Sequence, residues 1–335
     1  MKHPGGTATA LAMVLAMGLA GRVDAGQQAP QKPKTTAAKK TAWGDPDLQG
    51  IWNHGTITPL ERPAKYAGRE FLTEKEIADI NYESDHRADT EKRGDISIQT
   101  DVALAYNQFW WDRGKSVGRT SLIVDPKDGR LPALTPEAAQ KDASAETKRI
   151  ETVRRGDAHA AGPEEMDLGD RCILYRPVPI TASGYNNNVH LVQSPGYVAI
   201  LQEQIHDVRI IPLDGRPHIA SGVRQWLGDS RGHFEGDTLV VETTNFSENT
   251  DYEGSSSGRT VIERFKRTDA GSLEYTYTIT DPTRWTRSWT AMVPWSATEG
   301  PMFEYACHEG NHGMVGILKG SRAIERAAES KKGSN

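Results

Sequence analysis

Titratable side chains crowd one stretch of this sequence. Residues 197–212, YVAILQEQIHDVRIIP, contain Glu203, His206, Asp207 and Arg209, and His190 precedes them. An imidazole beside a carboxylate is a common device for moving protons at neutral pH, the carboxylate tuning the base. His206 or His190 is the expected base, with Glu203 or Asp207 as its partner. Arg171 or Arg224 would hold an oxyanion, and Trp226, Asn188, His308 and Glu309 complete the expected substrate-binding set. The chemistry this set suggests is acid–base work on a small organic or carbohydrate-derived molecule, as in a lyase, isomerase or hydrolase. The alternative is a small-molecule-binding barrel without chemistry.

The elements that must position these groups qualify that reading. As one continuous strand, 197–212 would send alternate residues to opposite faces. One face would carry Glu203, Asp207 and Arg209 among Ala199, Leu201, Ile205 and Ile211, and the other Gln202, Gln204 and His206 among Ile200, Val208 and Ile210. A sheet with one wet side alternates cleanly, and this stretch does not. Either it lines a polar cavity, or it is a strand end whose charges neutralise one another. The run Asn186-Asn187-Asn188 is similarly double: a turn, since Asn tolerates left-handed backbone, or amides facing the cavity beside His190.

Other motifs narrow the chemistry. The string His308-Glu309-Gly310-Asn311-His312 has the spacing of a zinc-protease helix, but Gly310, Asn311 and Gly313 argue for a turn. Ser230 lacks the Gly-Xaa-Ser-Xaa-Gly context of a hydrolase nucleophile. Phosphate loops, dinucleotide fingerprints and paired CxxC motifs are absent, so no cofactor is evident, and a divalent metal at the His and carboxylate groups stays open. The net charge of −5, without an internal basic block, argues against nucleic acid. The expected partner is a small molecule, and the sequence leaves the oligomeric state undetermined.

The N-terminus predicts export. Lys2 and His3 precede an apolar run over 8–20, and Val23-Asp24-Ala25 suits a signal-peptide cleavage site. The run is too short for a stable membrane anchor, so the expected location is periplasmic or secreted. In an oxidising compartment the two cysteines, Cys172 and Cys307, most simply pair; the alternatives are two buried free thiols or a metal pair. A bridge between them would close a loop worth about 4–5 kcal/mol in chain entropy. It would also set Asp170-Arg171 beside His308-Glu309.

The organisation expected is a signal peptide (1–25), a flexible linker (26–42), a strand and helix region (43–165) and a β-meander core (166–330). Trp52 anchors an entry strand, Thr73 and Glu76 form a helix capping box, and Pro136 opens a second helix. Strands are expected at 187–193, 197–212, 222–227, 238–244, 259–268, 273–281 and 284–294, with Leu273, Tyr275, Tyr277 and Ile279 on one face. Trp285 and Trp289 share a strand face, as barrel core or as a stacking surface. A helix over 314–330 caps the end. The fold class is mainly β: an antiparallel barrel or strongly curved sheet, with N-terminal helices packed outside and a C-terminal helix.

The strings GYNNNVHLVQSPGYVAILQE, HDVRIIPLDGRPH, RQWLGDSRGHFEGDTLVVETTNF, DPTRWTRSWT and YACHEGN resemble those of a family of exported proteins common in soil bacteria. The likeness spans most of 43–325. It implies export and a shared fold, and it carries no reaction with it. The β portion is also similar in style to lipocalin-like barrels, which hold small hydrophobic or amphipathic ligands and occasionally catalyse hydration or isomerisation.

Overall fold

Alternation decides the sheet. In β9 (Ser272–Thr280) the side chains of Leu273, Tyr275, Tyr277 and Ile279 are buried, while those between them are not. The same period fills the interior from β8 (Thr260–Arg267) with Val261, Glu263 and Phe265, and from β10 (Trp289–Ala297) with Trp289, Ala291, Val293 and Trp295. Register then matches sizes: Ala291 lies opposite Tyr277, and Val293 opposite Tyr275. The rings pack edge-to-face or tilted, with Tyr275 and Trp295 centroids 4.7 Å apart and Trp285 and Trp289 5.5 Å apart. Trp285 and Trp289 are therefore core.

The computed structural model describes residues 39–86, 111–155, 160–255 and 257–332. The expected signal peptide and most of the expected linker lie outside them. The remaining elements are β1 (Gly50–Asn53), α1 (Glu74–His86), β2 (Ile123–Asp125), α2 (Pro136–Arg155), β3 (Asn188–Ser194), β4 (Tyr197–Gln202), β5 (Val208–Pro212), β6 (Asp229–Glu235), β7 (Thr238–Thr244) and α3 (His312–Lys332). The strands run in the order β5-β4-β3-β1-β10-β9-β8-β7-β6, every pairing antiparallel, with β2 attached to β10. The two ends of that order, β5 and β6, come together without a hydrogen-bonded ladder. The result is a nearly closed barrel with one unzipped seam. Among the described residues no helix is long and apolar enough to cross a membrane.

The helices stay outside. Thr73 and Glu76 form the capping box at α1: the Thr73 amide donates to Glu76 Oε2 at 2.8 Å and the Glu76 amide to Thr73 Oγ1 at 3.3 Å. α1 buries none of its residues and docks through polar contacts, such as the Ser116 amide to Asn81 Oδ1 at 2.9 Å. α2 begins at Pro136 and buries Ala138, and Arg284 holds its Asp142 at 2.7 Å.

Two strand expectations are corrected. Residues 197–212 form a hairpin, β4–β5, with Tyr197 opposite Pro212 and Leu201 opposite Val208. Between the strands, residues 203–207 make a tight turn in which Ile205 and His206 adopt left-handed backbone (φ 61° and 50°). The polar density there marks a turn that uses neither Gly nor Pro. Ile205 is a branched residue in a costly conformation, offset by burying its side chain with that of Gln204. Residues 222–227 are also no strand; β6 starts only at Asp229, after Gly228 (φ 70°). A Cβ at Gly228 would fall 2.6 Å from the Thr244 carbonyl oxygen, so the chain can enter β6 this way only at glycine. A smaller revision moves the last strand from 284–294 to 289–297.

Inside the barrel Arg209 of β5 meets Glu263 of β8. Arg209 Nη1 donates to Glu263 Oε2 at 2.5 Å and Nη2 to Oε1 at 2.9 Å. Tyr275 Oη donates to the same Oε1 at 2.7 Å and accepts from the Ile180 amide at 2.9 Å. Both charged side chains are essentially sealed from water, at 3% and 0% exposure. Burial works against the guanidinium, but the Glu263 carboxylate outweighs it and holds the Arg209 pKa above its ordinary value. Burial likewise pushes the Tyr275 phenol well above the usual range. A bidentate, triply bonded pair of this kind tolerates desolvation, whereas one stranded charge does not. Arg209→Met should cost about 3–5 kcal/mol in urea denaturation, and Arg209→Met/Glu263→Leu should recover most of it. A double variant at least as unstable as the single one would contradict this account of the pair.

Candidate functional site

The seam opens into a cleft of about 760 Å³. One wall is β5 and the residue before it, with Asp207, Val208 and Ile210; the other is the 224–230 segment, with Arg224, Trp226 and Ser230; Ile173 closes one side. The two edges pinch together further along. A Cβ on Gly232 of β6 would fall 2.9 Å from Ile211 and 2.8 Å from Leu213, so a glycine there admits the side chains at the end of β5 and just beyond it. Toward Asp207 the edges separate. The hydrogen-bonding parity of the hairpin is set by the Gln202 amide to the Asp207 carbonyl and the Leu213 amide to the Gly196 carbonyl. Arg209 and Ile211 therefore bond back to β4, and the main-chain groups of Val208 and Ile210 point into the seam.

The second wall is a loop fastened by polar groups. His218 is clasped between Asp229 at 2.7 Å (Nδ1 to Oδ2) and Glu242 at 3.1 Å (Nε2 to Oε1). Asp229 also accepts from the Ile219 amide at 3.1 Å and from Arg231 Nη1 at 2.7 Å. Asn245 Nδ2 donates to the carbonyls of Ile219 and Ala220, each at 3.1 Å, and the Gln225 amide donates to the Asn245 carbonyl at 3.0 Å. This lattice presents Arg224 and the Trp226 ring to the cleft. Arg224 spends Nη1 on the Ser257 carbonyl at 2.9 Å. Trp226 keeps 38% of its surface exposed.

Asp207 is the cleft's distinctive group. Its side chain has no hydrogen bond or ion pair among the described residues. Burial raises its carboxyl to about 6, against a weaker opposing pull from His206. A carboxyl titrating there is populated in both forms near neutral pH, as a proton-transfer group must be.

The expected site residues divide. Asp207, Arg224 and Trp226 share the cleft. His206 is exposed, and its Nδ1 lies 3.1 Å from the Tyr305 carbonyl, so it braces the turn against the chain before Cys307. His190 lies on the outer face of β3, between the inward Val189 and Leu191. Arg171 lines none of the described cavities, and His308 and Glu309 stand exposed in a turn. His308 and His312 do not share a helix: α3 begins at His312.

Glu203 and Asn188 belong to a different network. Glu203 Oε2 accepts from the Asn188 amide at 3.1 Å, and Asn53 Nδ2 bridges Asn188 Oδ1 at 3.1 Å and Asp112 Oδ2 at 2.7 Å. Burial pushes the Glu203 carboxyl up, Asn188 opposes this, and nearby Asp112 adds to it. The neighbouring Asn187 is buried and accepts from Arg176 at 3.0 Å, and Arg176 Nη2 also donates to the Tyr185 carbonyl at 2.8 Å. The Asn run is thus a knot tying β3 to β1 and to residues 176–185. Behind it His54 is buried, and burial first, then Arg176, holds its pKa well below the ordinary value.

The disulfide Cys172–Cys307 is formed. It places Ile173 on the seam cleft, a residue whose role could have been read only from its neighbour's pairing. Among the described residues no group of three or more His, Cys, Asp or Glu side chains is arranged to hold a metal. No family model matches the chain, and no curated protein is significantly similar to it.

The raised Asp207 pKa fixes the sign of a stability effect. Its folded value exceeds the unfolded one, so ionisation penalises the fold increasingly from the ordinary carboxyl range up to about pH 6 and fully above it, and the penalty vanishes once both states are protonated. Asp207→Asn should therefore raise the urea midpoint at pH 8 and change it little at pH 4. Equal gains at both pH values, or a loss at pH 8, would contradict the burial of this carboxyl.

Proposed function

We propose that this chain is an exported enzyme that performs acid–base chemistry on a small organic or carbohydrate-derived molecule in the seam cleft. Lyase, isomerase and hydrolase reactions fit this scheme. The reading rests on one observation: a half-buried, unpartnered carboxyl held near 6 on the wall of an open cleft that also carries a guanidinium and an indole. Asp207 replaces His206 as the base, since His206 points away to Tyr305. The Asp207 carboxylate would take a proton from the substrate, and the resulting carboxylic acid would return it to product or water. Arg224 would bind the anionic or developing oxyanionic group, and Trp226 would cover the apolar part of the ligand. Export is supported by the pairing of both cysteines, which persists in oxidising compartments.

A second reading, a ligand-binding barrel without chemistry, is favoured by one fact. The cleft's other carboxylate, Asp229, is committed to His218, Ile219 and Arg231, leaving a single free acid–base group. Screening metabolites against the purified protein separates the two. For an enzyme, Asp207→Asn should lower kcat about 10²–10⁴-fold with a small change in KM, and kcat/KM should rise with pH through about 6. Arg224→Ala should act mainly on KM. Turnover indifferent to Asp207→Asn would overturn the assignment, and a ligand bound stoichiometrically without product would favour the binding reading.

A further inference from the structure

A second cleft, of about 590 Å³, lies beside the disulfide. Three tyrosines line it, Tyr175, Tyr185 and Tyr305, together with two acids, Asp170 and Glu304. No lysine, arginine or histidine is among its lining residues. Neither carboxylate has a hydrogen bond or ion pair among the described residues; the Tyr185 ring packs on Trp111 at 6.0 Å, and Tyr175 and Tyr305 do not pack on each other. Tyr175 keeps 47% of its surface exposed, an unusual state for an aromatic side chain with so much area to bury.

The walls are built and held. The Tyr175 ring packs against Gly169, where a Cβ would fall 2.7 Å from its edge. Asn311 caps α3 by accepting from the Met314 amide at 3.1 Å and reaches across to the Asp170 carbonyl at 2.7 Å. The Cys172–Cys307 bridge joins the wall carrying Tyr175 to the wall carrying Tyr305. His206 Nδ1 holds the Tyr305 main chain through its carbonyl oxygen at 3.1 Å. Aromatic ring faces carry negative quadrupoles, and the two carboxylates add charge of the same sign. Such a site offers a cation aromatic faces and counter-charge.

We propose that this cleft binds an organic cation, an alkylammonium group, against the rings of Tyr175 and Tyr305 with Asp170 and Glu304 as counter-ions. The site is independent of the seam and of any reaction there. Calorimetric titration of the full, disulfide-bonded chain with choline and with its uncharged isostere, 3,3-dimethylbutan-1-ol, tests it. Choline should bind at least about tenfold more tightly. Glu304→Gln and Tyr175→Leu, both at accessible positions, should each weaken choline about three- to tenfold and leave the isostere unchanged. The choline methyl protons should also shift upfield by NMR in the unaltered protein, a readout that needs no variant. Equal affinity for the isostere, absence of choline binding, or choline binding untouched by both substitutions would overturn the proposal.

Discussion

The structure hangs on the ion pair between Arg209 and Glu263. β5 has one hydrogen-bonded neighbour, β4, and no ladder on its other side. A strand so placed would ordinarily fray or recruit another strand. Arg209 prevents this by reaching into the barrel to a carboxylate that also accepts from Tyr275. The pair holds β5 in place without zipping the barrel shut, which leaves the seam as a cleft. Asp207 sits two residues before Arg209, so the anchor that fixes the strand also fixes the carboxyl at the cleft mouth.

The left-handed turn at residues 203–207 distributes its polar groups in three directions. Glu203 goes to the Asn188 network, His206 to Tyr305, and Asp207 to the seam. The disulfide segment mirrors this division: Ile173 faces the seam, while Cys172 and Tyr175 face the aromatic cleft. The two clefts therefore flank one reinforced wall. Rigid walls of this kind preorganise a site, since little conformational entropy is left to lose when a ligand arrives.

Much of the fold was legible because period and burial agree. The alternation of Leu273, Tyr275, Tyr277 and Ile279, the Thr73–Glu76 capping box and Pro136 all act locally, and all appear where the residues place them. The failures have physical causes. The 203–207 turn uses Ile and His at positive φ, where pattern reading expects Gly or Asn. Val223 and Trp226 look like strand residues, but the loop is fixed by His218 and Asn245 through contacts the local sequence does not announce. Of the candidate residues, Asp207, Arg224 and Trp226 converge. His190 faces outward because its strand neighbours are the inward ones, and His206 is consumed in bracing. Glu263 carries no local signal at all, since its importance comes from a partner 54 residues away.

Amide hydrogen exchange across β5 tests the open seam most directly. With Arg209 and Ile211 bonded to β4, and Val208 and Ile210 facing the cleft, protection should alternate along the strand: slow at Arg209 and Ile211, fast at Val208 and Ile210. Uniform protection of all four amides would mean that β5 and β6 are zipped together, and the cleft that organises this account would not exist.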